Sequence, residues 1–485
     1  MRKFLFLSLF SLLMLVACGQ KEDAIYIIST NDMHASIDAF PELATLIHSY
    51  ERRGEVLVVD SGDRVAGNAY VDDAEQDGMP IIELMNAVGY DIVTLGNHEF
   101  DKGYDALRTM VEGSEFVWTC ANMQTLDEQY PLERYSTHEI MGIKLGFFGI
   151  VDTDQKGHPL GKDDVYAEFI FENDVDCAER VAEEIAPEHD FVVLLSHMGL
   201  RMDSRLTERN AKINWIAGGH SHDLLCESKN GIHLSQNNKN LRYVTVAKLS
   251  VDNGAVSGVE YEQVNLSTIE ENRDIRELVD RIKLSDPKLN EVIATANEEF
   301  SHDGVANLTI DALMNYPYHD GFQPEVCFYH FGGVRLSSLA KGDVRLVDIL
   351  NNDPFLSTIY LGEMTASDIR KFILDKYNSG TPEQPDKESH YAYFRSNIPY
   401  QIILGNEPAE HPDAIDIKFD LEEGHLYRVA MCNYIAESYI DKELVARQLW
   451  DSNTLVREAM LHYVENLESG LTPNNVSLQT EVKSE

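Results

Sequence analysis

The stretch Ala24-Ile25-Tyr26-Ile27-Ile28-Ser29-Thr30-Asn31-Asp32-Met33-His34 begins as a short apolar run and ends on an acid and an imidazole. Residues 24–29 read as a strand, and the two side chains just past its end are of metal-binding type. The same sequence grammar recurs four times further on. Residues 55–59 lead into Asp60-Ser61-Gly62-Asp63, and residues 91–95 lead into Gly96-Asn97-His98-Glu99. Residues 191–195 lead into Ser196-His197, and residues 213–217 lead into Gly218-Gly219-His220-Ser221-His222. Residues 144–150 are one more strand candidate. Amphipathic stretches lie between these runs. Residues 41–50 carry proline in the first turn and place Leu43, Leu46, Ile47 and Tyr50 on one face, and Gly54 ends the helix. From Ala24 to about Val264 the alternation predicts βαβ units and a largely parallel or mixed sheet.

In α/β sheets the ligand crevice lies beyond the carboxyl ends of the strands, so five such endings converge on one place. Taken singly, each is weak. An Asp-x-His triplet or a Gly-Asp pair is commonly turn chemistry, and a strand-end histidine is commonly just hydrogen-bonded. Their joint occurrence in order is what marks a site. Spacing alone leaves Asp60 and Asp63 equal as candidate ligands. Imidazoles beside hard oxygen donors suit zinc, manganese, iron or cobalt better than calcium.

The segments Ser29-Thr30-Asn31-Asp32-Met33-His34, Gly96-Asn97-His98-Glu99-Phe100-Asp101 and Gly219-His220-Ser221-His222 resemble the calcineurin-like metallophosphoesterases. Within them, the chain resembles the 5′-nucleotidase family, which includes UDP-sugar hydrolases and cyclic-nucleotide phosphodiesterases. The resemblance implies an α/β fold with an N-terminal β-sandwich flanked by helices and a C-terminal α/β substrate domain. It also implies two divalent metal ions, one held by Asp32, His34 and His222 and the other by Asn97, His197 and His220. Asp63 bridges them by the same resemblance, which leaves Asp60 a structural role. Two ions at about 3.5–4 Å neutralise a phosphate ester and lower the pKa of a bound water, making it a nucleophile. His98, without a ligand role, is expected to stabilise or protonate the leaving oxygen. Asp101, three residues on, is placed to orient it.

Domain expectations follow the same reading: a leader at 1–17, a catalytic domain at 24–265, a linker helix at 266–300 and a substrate-binding domain at 301–468. The linker carries helical spacing at Ile275, Leu278, Val279 and Ile282. In the second domain, residues 307–314 resemble the family's opening motif there, and Gly332-Gly333-Val334-Arg335 resembles its Gly-Gly-Ile-Arg. Arg335 is expected to grip phosphate and Phe355 to form one side of a base-stacking clamp. Thr365 reads as an N-cap with Asp368 at the third helical position. Residues 379–390 read as a mobile polar loop, and the tail after Ser469 as frayed.

The chain departs from the family in three places. His330-Phe331 stands where the family has Asn before Gly-Gly, and Ser301 or His302 where it has an arginine. Glu437-Ser438-Tyr439-Ile440 replaces the Gly-rich segment carrying the second stacking aromatic, so Tyr439 is the candidate substitute.

Against 40 basic side chains stand 82 acidic ones, a net charge of −42, which repels polymeric nucleic acid and anionic lipid. A small phosphorylated substrate, foremost a nucleotide, then needs local positive charge, which metal ions or arginines supply. Arg2 and Lys3 precede an apolar run to Ala17, too short to span a membrane comfortably. Leu15-Val16-Ala17-Cys18 resembles a bacterial lipobox and predicts an exported chain whose membrane contact is a lipid anchor at Cys18. Gly19-Gln20-Lys21-Glu22-Asp23 weakly resembles a surface-export signal. The other cysteines, scattered and odd in number, predict buried thiols and no disulfide framework.

The leading functional expectation is hydrolysis of a nucleoside 5′-monophosphate. The same metal residues also suit a 2′,3′-cyclic-nucleotide phosphodiesterase or a UDP-sugar hydrolase. A lipoprotein that only captures phosphorylated ligands would need neither His98 nor an activated water.

Overall fold

The computed structural model describes residues 21–483 apart from 127–129, 154–156, 160–162, 380–393, 407–411, 441–448 and 468. The leader, Cys18 and nearly all of the polar 379–390 stretch lie outside the described residues.

Two six-stranded sheets build the first unit. In one, the order runs Ala255–Asn265, Tyr243–Asp252, Ala24–Thr30, Glu55–Asp60, Ile92–Thr94 and Val117–Thr119. In the other it runs Leu224–Lys229, Ile232–Asn237, Trp215–Gly218, Phe191–His197, Ile143–Val151 and Ser136–Ile140. The sheets face each other across a shared apolar core. Ile25, Ile27, Leu57, Val59 and Ile92 from the first meet Leu145, Phe147, Val193, Leu195 and Trp215 from the second. Helices cover the outer faces, which is why the central strands are buried along their whole length. The unit is therefore the expected α/β sandwich flanked by helices.

Parallel pairing aligns the strand ends that matter. Thr30 lies beside Asp60 and Asp60 beside Val93 in the first sheet. In the second, Val151 lies beside His197 and Ser196 beside Gly218. All five endings that carry candidate ligands thus emerge at one edge of the sandwich.

The helix Arg273–Ser285 sets Ile275, Leu278, Val279 and Ile282 into the outer core of this unit, against Ile47, Tyr50 and Leu84. The next strand, Val292–Ala296, pairs with Gly342–Arg345 of the second unit.

The second unit packs the five-stranded sheet Phe394–Ser396, Val326–His330, Leu426–Cys432, Thr358–Thr365 and Trp450–Leu455 against the helices His302–Asn315, Ala366–Ser379 and Val456–Glu465. Thr365 and Asp368 exchange reciprocal hydrogen bonds at the start of the second of these helices, as their spacing predicts.

The tail does not fray. Gln479–Lys483 forms a parallel strand beside Tyr400–Leu404, with Gln479 buried against the carbonyls of Ser396 and Ile398. Asn307 ties down the carbonyls of Asn474 and Val476 before it. A polar terminal segment reads as loose when its partners lie 80 to 170 residues away in the chain.

Among the described cysteines none is in a disulfide, and Cys120, Cys177, Cys327 and Cys432 are buried. No described helix is long and apolar enough to cross a membrane.

Candidate active site

Three of the five strand ends deliver their side chains through backbone that an ordinary residue resists. Asp32, His34, Asp63, His220 and His222 all have left-handed φ, between +44° and +75°. Such conformations cost about 1–3 kcal/mol each and persist where the surroundings over-determine them. The surroundings are visible. The backbone N–H of Asp32 donates to Gly62 O, that of His34 to Asp63 O, and that of His220 to the Asp32 carboxylate.

The strand ends converge. Donor atoms of Asp32, His34 and His222 lie within 4.8 Å of one another, as do those of Asp63, His197 and His220. Asn97 joins the second group, its Oδ1 standing 3.0 Å from His220 Nδ1. The Asp63 carboxylate lies between the groups, with Oδ2 3.1 Å from His197 Nε2 and Oδ1 accepting the backbone N–H of His98. His34 Nε2 and His222 Nε2 are only 3.1 Å apart.

These donors fit divalent cations. Asp32 and Asp63 are buried, yet facing imidazoles outweigh that burial and hold both carboxyls below their ordinary range. His197, although buried, is pushed up to about 10, chiefly by Asp63. Two buried carboxylates therefore demand positive charge. His34 and His222 are pushed down instead by burial, which favours the neutral imidazole that binds metal. His197 Nδ1–H donates to Ser61 O at 2.7 Å, a bond that aims Nε2 at the Asp63 carboxylate.

Asp60 does not reach this cluster. Its carboxylate accepts from Thr30 Oγ1, Gly62 N–H and Arg64 Nη2 at 2.8–3.1 Å, deep under the loops that carry Asp32 and Asp63. Composition did not single out Glu99, yet it clamps two loops together by accepting the backbone N–H groups of Asp63 and Arg64 from one and of Gly96 from its own. Asn31, to which the sequence assigns no role, donates to Asp32 Oδ2 at 2.6 Å and to Asn238 O at 2.9 Å. Only the spacing within the quoted motifs could have pointed to either. Gly96 has a steric reason: a Cβ there would fall 2.2 Å from Asp63 Oδ1.

His98 stands at the rim of the cluster. Its Nδ1 is 2.7 Å from Asp101 Oδ2, and its Nε2 faces Asp63 Oδ2 at 3.9 Å. Burial depresses its basicity, but Asp101 and Asp63 prevail and lift it to about 9. Its ring is 5.4 Å from that of Phe355 in the second unit. The Arg335 guanidinium lies 5.0 Å from the same phenyl ring and contributes to the electrostatics of His34, His98 and His222. Both residues of the second unit thus look onto the cluster. A cleft of about 290 Å³ opens beside them, lined by His34, Ser36, Asn68, Asn240 and Arg335 among others.

At the points of departure, His302 Nε2–H donates to Val334 O at 2.8 Å and its ring packs on Phe331. His330 stacks on Tyr434 with ring centres 4.4 Å apart. Tyr439 belongs to the helix Asn433–Ile440, but its side chain lies outside the described residues.

Comparison with known proteins gives the same two parts. The calcineurin-like phosphoesterase family matches residues 25–224, and the 5′-nucleotidase C-terminal domain matches residues 283–440. The trifunctional nucleotide phosphoesterase protein YfkN of Bacillus subtilis is 24% identical over 84% of this chain. Only 31% of that relative is covered, so the chain spans about a third of its length. Protein UshA of Yersinia enterocolitica is 24% identical over 66% of this chain and 68% of its own. The crystal structure of the 5′-nucleotidase precursor from Thermus thermophilus shares the fold with a TM-score of 0.77. It has 17% identity and covers 95% of this chain and 99% of its own.

Proposed function

We propose that this chain, which belongs to the calcineurin-like phosphoesterases carrying a 5′-nucleotidase C-terminal domain, hydrolyses phosphate monoesters, foremost nucleoside 5′-monophosphates. The family is one of metal-dependent phosphoesterases. The observation that carries the reading is the convergence of two ligand groups around Asp63, with His98 and Asp101 at their edge and Arg335 and Phe355 facing them.

Asp32, His34 and His222 would hold one divalent ion, and Asn97, His197 and His220 the other, with Asp63 shared. Bound there, the ions supply charge neutralisation at the phosphoryl oxygens and lower the pKa of water. The rest of the chemistry falls to this chain's own side chains. Arg335 grips the phosphoryl oxygens with a planar fork of donors. Phe355 offers its face to the nucleobase. Asp101 accepts the Nδ1–H of His98, which leaves Nε2 to carry the proton that passes to the leaving ribose oxygen.

A second reading, hydrolysis of 2′,3′-cyclic nucleotides or UDP-sugars through the same residues, is favoured by Glu437-Ser438-Tyr439-Ile440 standing where the second stacking aromatic belongs. A manganese- or zinc-supplemented panel of AMP, UMP, 2′,3′-cyclic AMP, UDP-glucose and sugar phosphates decides between them. Fastest turnover of the nucleoside monophosphates supports the first reading. Preference for a diester moves the assignment to the second, and phosphate capture with no turnover makes the chain a binding lipoprotein.

The chain acts outside the cytoplasm, on this reading, anchored through acylated Cys18. Cys18→Ser should move the protein from the membrane to the soluble fraction; no change in fractionation removes the anchor.

A further inference from the structure

Lys239 sits in a strained turn. Its neighbours Asn238 and Asn240 have φ of +59° and +60°, and Leu241 follows at +50°. Three hydrogen bonds pin the turn. Asn238 N–H donates to Asp223 O at 2.8 Å, Asn31 Nδ2 donates to Asn238 O at 2.9 Å, and Asn240 N–H donates to Asp32 O at 2.8 Å. None of these bonds uses the lysine side chain. They station Lys239 beside the loops that carry Asp32 and His222, a position no ligand role explains.

The charge there is costly. Among the described residues Lys239 makes no ion pair. Burial, then the guanidinium of Arg335 from the second unit, push its ammonium down to about 7, with Asp32 acting the other way. Lys239 and Arg335 both bear electrostatically on His222. Lys239 and Arg335 are like charges that bear on one another, and an anion held between them removes that repulsion. Asn240 and Arg335 line the same cleft beside His34.

We propose that Lys239 is a phosphate-binding residue, which grips, together with Arg335 across the cleft, the phosphoryl group seated over Asp32, His34 and His222. This rests on the phosphoesterase reading of the site and adds to it. The family resemblance leads one to expect a further arginine in the second unit, where Ser301 or His302 stands, and His302 is committed to Val334 O. Lys239 restores that charge from the opposite unit. The grip on phosphate is then divided between the two units, so full affinity needs both in contact with the anion.

Calorimetric titration of inorganic phosphate into the manganese-loaded full chain tests this. Lys239→Met should weaken phosphate binding by roughly ten- to a hundredfold, the loss expected for one charge-assisted hydrogen bond. Metal content and melting temperature should stay unchanged, and Lys239→Arg should recover most of the affinity. Lys239→Gln repeats the measurement should the methionine variant not fold. Equal affinities in wild type and variant, absence of phosphate binding by the wild type, or metal loss in the variant each overturn the proposal. Weaker phosphate binding in a chain that hydrolyses no ester leaves this assignment standing and overturns the enzymatic one.

Discussion

The carboxylate of Asp101 lies 2.7 Å from Nδ1 of His98, whose ring also brings a donor atom within 4.8 Å of those of His34 and Asp63. The bond fixes which ring nitrogen faces the cleft. His98→Ala should therefore lower kcat by about 10²–10⁴, the usual weight of a general acid. Asp101→Asn should lower it by only about 10–100, the usual weight of an orienting partner. Elemental analysis should find unchanged metal in both. Unchanged kcat in His98→Ala would remove its assigned role.

Gly96 leaves no room for a side chain, since a Cβ would meet both Asp63 Oδ1 and its backbone N. Gly96→Ala should displace the Asp63 carboxylate, the proposed bridge between the ions, and reduce bound metal, read as ions per chain after dialysis. Gly258→Ala, where a Cβ meets nothing within 4 Å, is the control. Equal metal content in the two variants would show that Asp63 tolerates movement.

Phe355 is half-buried and presents its ring beside His98 and Arg335. Stacking a base on an aromatic ring contributes about 1–3 kcal/mol. Phe355→Ala should accordingly raise KM for AMP by roughly ten- to a hundredfold while leaving ribose 5-phosphate, which has no base, nearly unaffected. Equal losses on both substrates would make Phe355 a packing residue.

Asp203 is buried beside Ser196 and Gln236, and desolvation lifts its carboxyl to about 7 despite their hydrogen bonds. In the unfolded chain an aspartate titrates near about 4. The folded state thus keeps the proton longer, so this group's stability contribution is complete below about pH 4 and is lost as pH rises through 7. Asp203→Asn cannot ionise. It should gain on the wild type by roughly 2–4 kcal/mol between pH 4 and 8, measured as the difference in urea midpoints. A flat difference across that interval contradicts the assignment.

Periodicity and turn chemistry act over a few residues, and what they govern was legible in the chain. The parallel strands ending at Thr30, Asp60 and Gly218, the helix from Phe40 to Glu51 and the box of Thr365 with Asp368 all follow from local pattern. The rule that crevices open at the carboxyl ends of such strands was enough to collect the candidate ligands in one place.

Other features depend on partners far away in sequence. The Asp60 carboxylate turned inward because Arg64 and Thr30 satisfy it there, whereas spacing left it equal to Asp63. Glu99 became a clamp because the backbone N–H groups of Asp63 and Arg64, together with that of Gly96 in its own loop, needed an acceptor. The tail became a strand because Tyr400–Leu404 offered it an open edge. The charge of Arg335 bears on Lys239, almost 100 residues earlier in the chain. Local sequence determined which elements form and what stands at their ends. Only the tertiary structure decided which buried polar groups find partners, because a buried charge or donor is tolerated only where distant segments supply its counterpart.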